Sequence, residues 1–175
     1  MNKTALVVLV SLCAFAAPAL AQQKRPPATG PQEVVREWFR RWNALDGSDA
    51  TAKRFIDLYQ ATAIHQTEPS EKQVGPVYYE GHEALRKLVD DFTKAAAQPA
   101  FQIAKETSGA KSVELFFVSV GPWDGPAVGV QYTGAYTDRS TKRRHSFPGF
   151  AVFYIENAKI RYARFYTTRD ENVGE

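Results

Sequence analysis

The spacing of the hydrophobic residues changes from helical to alternating near residue 100. Between residues 31 and 99, apolar side chains recur at intervals of three or four, which is typical of helices that bury one side. The pattern predicts three helices: Pro31–Asp46, a second that begins at Ser48 or Asp49, and a third that follows Glu80-Gly81-His82-Glu83 and closes between Ala95 and Pro99. A short strand, Thr62–Thr67, and a polar loop, 68–77, separate the second helix from the third.

From Phe101 onward, apolar positions alternate with polar ones, as they do in strands. Segments bounded by turn residues predict five strands: Phe101–Thr107, Ser112–Val120, Ala127–Thr137, Ser146–Ile155 and Ile160–Thr168. Asn157-Ala158 is predicted to be the two-residue turn of the last hairpin. Helices followed by an antiparallel meander indicate an α+β domain. We expect three N-terminal helices packed on the concave face of a curved, mostly antiparallel sheet.

Both faces of the last hairpin are rich in aromatic residues. If the turn pairs Ile155 with Ile160, one face carries Phe150, Val152, Tyr154, Ala163 and Phe165, and the other carries Phe147, Phe153, Tyr162 and Tyr166. The first set is predicted to form a cavity wall, and the second set then needs another cover. We expect a homodimer through the convex face, with contacts from Phe147, Phe153, Tyr162, Arg164 and Tyr166. The alternative is a twisted sheet whose tyrosines lie at a free surface.

The first 21 residues have the features of a signal peptide. Lys3 supplies a positive charge, Ala5–Ala17 is an apolar run, and Ala19-Leu20-Ala21 is a cleavage sequence before Gln22. We expect a periplasmic or secreted protein, with a flexible lead-in at 22–30, a single domain at 31–170 and a tail at 171–175. Cys13 is the only cysteine, so the mature chain would be cysteine-free. The apolar run is shorter than the ~20 residues of a membrane-spanning helix, and no second apolar stretch approaches that length.

Charge and motifs indicate neither nucleic acid, nor metal, nor cofactor as a partner. Without Lys3, the chain has 21 basic and 19 acidic residues, a balance that favours no particular partner. Alternation places Arg161 and Arg164 on different faces, which gives no continuous basic stripe. His65, His82 and His145 are the only histidines, and no two have the spacing of metal ligands. No phosphate-binding or dinucleotide-binding glycine motif is present.

The order of these elements resembles the nuclear transport factor 2-like superfamily, which includes SnoaL-type polyketide cyclases and ketosteroid isomerases. The resemblance is carried by the helix that opens with Gly81-His82-Glu83-Ala84-Leu85 and by a final hairpin from Asn157-Ala158-Lys159-Ile160 to Arg164-Phe165-Tyr166. It covers about Pro31 to Arg169. It implies a cone-shaped domain, often dimeric, with a ligand cavity between the helices and the concave sheet. The same cone hosts isomerases, cyclases, hydrolases, dehydratases and binding modules, so it implies no single function.

The catalytic residues of ketosteroid isomerases are not found at the corresponding positions of this sequence. Such enzymes use an aspartate base on the first short strand, and here Gln66 occupies that position, or Thr67 after a one-residue shift. Their protonated aspartate on the penultimate strand corresponds to Phe150, and the helix Pro31–Asp46 has no tyrosine for the oxyanion hole. Neither an amide nor a phenyl ring replaces those groups, which disfavours steroid isomerase chemistry.

Two functions of different classes follow from the sequence. The first is a binding module for a small, mainly apolar molecule, with a cavity lined by Trp38 or Trp42, Tyr59, Gln66, Phe150, Val152, Ala163, Phe165 and Thr167. The second is a SnoaL-like enzyme for proton transfer, cyclisation or dehydration, with His65 as general base and Gln66, Tyr59 or Asp124 orienting the substrate. A third possibility is an interaction or stress-related domain that holds no ligand.

Strand alternation allows only one of His65 and Gln66 to face the cavity. Alignment on Leu58-Tyr59 favours Gln66 and leaves His65 as a surface or supporting histidine. Asp124 either orients a polar ligand at the cavity mouth or belongs only to the turn Trp123-Asp124-Gly125-Pro126.

Overall fold

The described residues form three helices close to their predicted positions. The computed structural model describes residues 30–68, 75–108, 111–120, 125–167 and 171–172. Helix α1 spans Pro31–Asn43, α2 spans Asp49–Ile56 and α3 spans Gly81–Ala95. The start of α2 is fixed by side-chain hydrogen bonds, because Ser48 Oγ accepts from the Thr51 N–H at 3.4 Å and Asp46 Oδ1 accepts from the Thr51 hydroxyl at 2.6 Å.

Eleven strands occur in the described part of the chain: β1 Tyr59–Thr67, β2 Val77–Glu80, β3 Ala96–Ala97, β4 Gln102–Ile103, β5 Lys105–Ser108, β6 Lys111–Glu114, β7 Phe116–Val120, β8 Pro126–Asp138, β9 Arg144–Glu156, β10 Lys159–Thr167 and β11 Glu171–Asn172. The main sheet has the order β2-β1-β10-β9-β8-β3, with β4 and β7 also paired to β8 and β11 paired to β9. Only β1 and β10 run parallel among these pairs. The fold is therefore α+β with a mostly antiparallel mixed sheet, as predicted.

Two strand predictions need correction. Strand β2, Val77–Glu80, was not predicted and pairs with the end of β1, while residues 69–74 of the predicted loop lie outside the described residues. The strand predicted at Phe101–Thr107 is divided at Ala104, whose backbone bonds Gln131 on one side and Leu115 on the other. The second part, β5, forms a separate two-stranded sheet with β6.

The turn at Asn157-Ala158 is confirmed, but the strand after it contains a β-bulge. Asn157 and Ala158 have φ values of 52° and 57°, the left-handed pair that a type I′ turn requires. Ile160 pairs with Ile155 as predicted, yet Tyr162 pairs with Tyr154, so the register shifts across Arg161. An extra residue in one strand moves all later side chains of that strand to the opposite face relative to its partner.

The bulge makes the predicted face assignment of β9 wrong. Phe153 and Phe147 were expected on the outside but are buried, on the face that packs against the helices and is called the inner face below. Phe150 and Val152 were expected on the cavity wall but pair with Tyr166 and Arg164 on the opposite, outer face. Tyr162, Arg164 and Tyr166 are on the outer face, as predicted.

The core lies between the inner face and the helices, with Trp38 of α1 near its centre. The Trp38 ring contacts Phe165 of β10 at 4.7 Å between centroids, Phe153 of β9 at 5.7 Å and Phe55 of α2 at 5.6 Å. Ala63, Ala151 and Ala163 on three strands of the inner face are fully buried. These small side chains leave the space that the aromatic rings of α1 occupy.

Candidate functional site

A cavity of about 200 Å³ opens between the inner face of the sheet and helices α1 and α3. Trp38 and Trp42 line it from α1, and Leu88 and Phe92 line it from α3. The sheet side is mostly aromatic, with Phe101, Tyr132, Tyr136, Phe147 and Phe165. Gly134 makes room for two of these rings, because a Cβ there would lie 2.7 Å from Phe147 and 2.8 Å from Phe101.

The polar lining of the cavity consists of His65, Thr67, Glu68, Thr167 and the two tyrosines. His65 is 3% exposed, whereas Thr67, Glu68 and Thr167 are more accessible and lie at the ends of β1 and β10. Glu68 pairs with Arg164 at 3.2 Å. The cavity is therefore an apolar space with one deeply buried imidazole.

A chain of hydrogen bonds leads from Trp38 through Tyr59 to His65. The Trp38 indole N–H donates to the Tyr59 hydroxyl at 2.6 Å, and that hydroxyl is 2.8 Å from Nδ1 of His65. Because an indole nitrogen is only a donor, the Tyr59 oxygen accepts from Trp38. The hydroxyl proton then needs an acceptor in a buried site, and Nδ1 is the atom in place.

This arrangement selects one tautomer of His65. With Nδ1 accepting from Tyr59, the ring proton lies on Nε2. No described residue hydrogen-bonds to Nε2, which leaves that N–H available to a molecule in the cavity. Phe165 stacks on the imidazole at 4.8 Å and 17° and fixes the plane of the ring.

Burial keeps both members of the Tyr59–His65 pair uncharged. Desolvation lowers the pKa of His65 from 6.5 to about 3 and raises the pKa of Tyr59 far above its usual range, because a charge is costly in an apolar interior. The imidazole is therefore neutral at physiological pH. In this state it is a hydrogen-bond donor at Nε2 and a poor proton acceptor.

The expectation that Gln66 faces the cavity is wrong, and His65 takes that place. Parallel pairing sets His65 beside Ala163 on the inner face and Gln66 beside Arg164 on the outer face. Gln66 Oε1 accepts a hydrogen bond from the Tyr162 hydroxyl, so its side chain is committed to the outer face. Alternation alone did not separate the two faces of β1, because Ala63 lies on the face of His65 and the larger apolar Ile64 lies on the face of Gln66.

The other predicted site residues that the structure describes divide into three groups. Trp38, Trp42, Phe165 and Thr167 do line the cavity. Tyr59 is buried behind it and supports His65, and Ala163 is buried on the inner face without lining it. Phe150 and Val152 lie on the outer face, since the bulge at Arg161 of β10 pairs them with Tyr166 and Arg164. Asp124 is outside the described residues.

More than half of the residues that line the cavity were not predicted from the sequence. Leu88 and Phe92 lie in the third helix, which was predicted without an assignment of these residues to the cavity. Tyr132 and Tyr136 alternate along β8 on either side of Gly134, and this large-small-large pattern was the available signal. Trp42 contributes a further feature, because its indole Nε1 is buried without a hydrogen-bond partner among the described residues.

The described ranges contain no cluster of three or more His, Cys, Asp or Glu side chains arranged to hold a metal ion. Among the helices that the structure describes, none combines the length and the apolar composition needed to cross a bilayer.

Comparison with known proteins identifies the fold through structure alone. No family model and no curated protein matches the sequence. The structure is similar to a protein of unknown function with the nuclear transport factor 2-like fold from Exiguobacterium, at a TM-score of 0.57 and 12% identity over 77% of this chain and 98% of that one. It is also similar to a candidate SnoaL-like polyketide cyclase from Jannaschia, at a TM-score of 0.56 and 13% identity over 83% and 90% of the two chains.

A third similar structure is a protein with a ketosteroid isomerase-like fold from Catenulispora acidiphila, determined in complex with trimethylamine. Its TM-score is 0.55 at 12% identity, over 79% of this chain and 86% of that one. Structural similarity at such low sequence identity establishes the fold and leaves the activity open. The chain has the nuclear transport factor 2-like fold that its sequence resembles.

Proposed function

We propose that this protein is an exported domain that binds a small, mainly apolar molecule in a cone cavity, with its helices on the concave face of the sheet. The observation that carries the proposal is the aromatic cavity of about 200 Å³ beside a neutral, buried imidazole. Apolar cavities of about 150 Å³ in other proteins accept benzene. A ring of that size therefore fits, with room for a small substituent.

The test uses toluene as probe and the melting temperature as readout. A ligand at one hundred times its dissociation constant stabilises the native state by about 2.7 kcal/mol, which raises the melting temperature by several degrees. Leu88→Trp should remove the effect, because Leu88 lines the cavity and an indole would fill it. Leu88→Met nearly conserves the volume and serves as the matched control. No response to toluene or comparable rings in the wild type would contradict the proposal.

An enzymatic function of the SnoaL type is the second candidate, and the position of His65 favours it. The imidazole lines the cavity, where a proton-transfer group would have to be. Its low pKa and the engagement of Nδ1 by Tyr59 argue for a role as donor to a substrate oxygen and against the role of general base. A pH titration of His65 by NMR, with and without bound ligand, distinguishes the donor role from the general-base role, since a base must gain a proton near neutral pH.

The outer face supports the proposal of a homodimer. It carries Tyr78 and Phe117, which are 59% and 55% exposed, and Tyr166, which is 36% exposed. Phe150 and Val152 join this surface in place of the buried Phe147 and Phe153. An exposed aromatic surface of this kind is typical of an interface.

Sedimentation velocity tests the dimer. The wild type should sediment as a dimer at micromolar concentration, and Tyr166→Arg should shift it to monomer because it places a second cation beside Arg164. Val113→Arg is the matched control, since Val113 is 62% exposed on β6, outside the main sheet. A monomeric wild type would contradict the proposal.

Export is proposed on the apolar run Ala5–Ala17 and the cleavage sequence Ala19-Leu20-Ala21. N-terminal sequencing of the protein recovered from its native cell should give Gln22 as the first residue. A chain that retains Met1 would contradict it.

A further inference from the structure

We infer that the ligand is a neutral single-ring aromatic molecule with a carbonyl group, whose oxygen accepts a hydrogen bond from Nε2 of His65. This inference rests on the proposed binding function and adds the chemical class of the ligand. It follows from the direction of the hydrogen-bond chain, the shape of the cavity and the charge at its rim.

The hydrogen-bond chain fixes the polarity of the anchor. Trp38 donates to Tyr59, and the Tyr59 hydroxyl lies 2.8 Å from Nδ1 of His65. Since Nδ1 is the acceptor in place for the hydroxyl proton, the outermost group of the chain is the Nε2–H donor. A ligand group placed against it must therefore be an acceptor. Tyr132, the other deeply buried polar residue of the lining, has a hydroxyl that both donates and accepts and discriminates less between ligands.

The surroundings of the donor favour a flat ring. The imidazole lies against Phe165 at 4.8 Å, and Phe101, Phe147 and Tyr136 form the adjacent sheet wall. Aromatic rings pack on such walls in offset or edge-to-face geometry. A volume of about 200 Å³ accommodates one ring with a short substituent.

The charge at the rim disfavours an anion. Glu68 is the only charged residue of the described lining, and a carboxylate repels a second one. Arg164, its partner at 3.2 Å, lies on the outer face. A ketone or an aldehyde meets the donor without this repulsion, whereas a carboxylic acid would enter as an anion.

Three probes of nearly equal size separate the effects of the hydrogen bond, the aromatic walls and the charge at the rim. They are acetophenone, cumene and benzoate. Affinities are measured by calorimetry for the wild type and for His65→Phe, which keeps a ring and removes the donor. One neutral hydrogen bond corresponds to about a 5- to 10-fold change in dissociation constant. We expect His65→Phe to weaken acetophenone by this factor and to change cumene less than twofold. Ser140→Ala, in an exposed turn outside the cavity lining, is the control and should change acetophenone less than twofold.

Benzoate should bind at least tenfold more weakly than acetophenone, and Glu68→Gln should improve benzoate severalfold. The infrared carbonyl stretch of acetophenone bound to the wild type should lie below its value in hexane, since a hydrogen bond weakens the C=O bond. This readout needs no variant and stands even if His65→Phe does not fold.

The outcomes separate the inference from the function on which it rests. If cumene binds but the acetophenone stretch is unshifted, or if His65→Phe weakens both neutral probes equally, the carbonyl anchor is wrong and the binding function stands. Benzoate binding more tightly than acetophenone would also overturn the inference. If none of the three probes binds the wild type, the proposed function itself fails, and the inference fails with it.

Discussion

His65 should make the stability of this protein depend on pH between about 3 and 6.5. Its pKa is about 3 in the folded chain and 6.5 in the unfolded one. Between these values the unfolded state binds a proton that the folded state does not, so the free energy of unfolding falls as the pH falls. The stabilisation is fully present above pH 6.5 and is lost progressively as the pH drops toward 3.

The size of the effect follows from the difference between the two pKa values. Each unit corresponds to about 1.4 kcal/mol, and integration from about pH 7.5 to about pH 4 gives a loss of about 3 kcal/mol. Acidic side chains also contribute to acid unfolding, because hydrogen bonds from Thr51 and Ser48 lower the pKa of Asp46, and those from Ser140 and Thr141 lower the pKa of Asp138. The His65 contribution must therefore be measured as a difference between variants.

His65→Gln provides that difference, because its amide oxygen can accept from Tyr59 and its side chain does not titrate. Urea unfolding of both proteins at several pH values gives the free energy of unfolding for each. We expect the wild type to lose about 3 kcal/mol more than His65→Gln between about pH 7.5 and about pH 4. A constant difference across this range, or an NMR titration of His65 near 6.5, would refute the buried neutral imidazole.

Three further predictions concern the fold and share urea unfolding as the assay. Ala158→Gly should stabilise the protein by up to about 1 kcal/mol, since Ala158 has φ 57° and a left-handed conformation costs an L-residue about 1–2 kcal/mol; a loss of stability would contradict the strained turn. Phe153→Ala should lower the free energy of unfolding by about 3–5 kcal/mol, and Phe150→Ala by clearly less, because Phe150 is only half-buried. A larger effect of Phe150→Ala would contradict the assignment of Phe153 to the inner face and Phe150 to the outer face. Ser48→Ala should cost about 1 kcal/mol by removing the cap of α2, with Ser140→Ala in an exposed turn as the control; equal effects would contradict the cap.

The sequence was sufficient for elements that are specified by local chemistry. Helix α1 follows from the stripe that includes Val34, Trp38 and Trp42, and α2 follows from its cap at Ser48. The two turn residues of the last hairpin were predicted correctly, because Asn157-Ala158 favours a two-residue turn and thereby pairs Ile155 with Ile160. Each of these signals acts within a few residues, where propensity and side-chain hydrogen bonds decide the backbone.

The faces of β9 could not be obtained in this way. Its two alternating sets are both apolar, so hydrophobicity alone does not say which one is buried. The inner set contains Gly149 and Ala151 between larger residues, while the outer set contains Phe150 and Val152. Side-chain volume separates the two sets, because small residues must lie where the aromatic side chains of the helices pack against the sheet.

The bulge at Arg161 ties this packing to the site. Without the extra residue, the buried Phe153 would share its face with Tyr162 and Arg164, and a guanidinium would lie among the rings around Trp38. The cost of burying an unpaired charge there would be several kcal/mol. The shift instead sets Ala163 opposite Phe153 and Phe165 opposite Ala151. Phe165 thereby stacks on His65, and Arg164 reaches Glu68 from the outer face. One irregular residue in the β9–β10 hairpin thus keeps cations out of the cavity wall and supplies the ring that orients its imidazole.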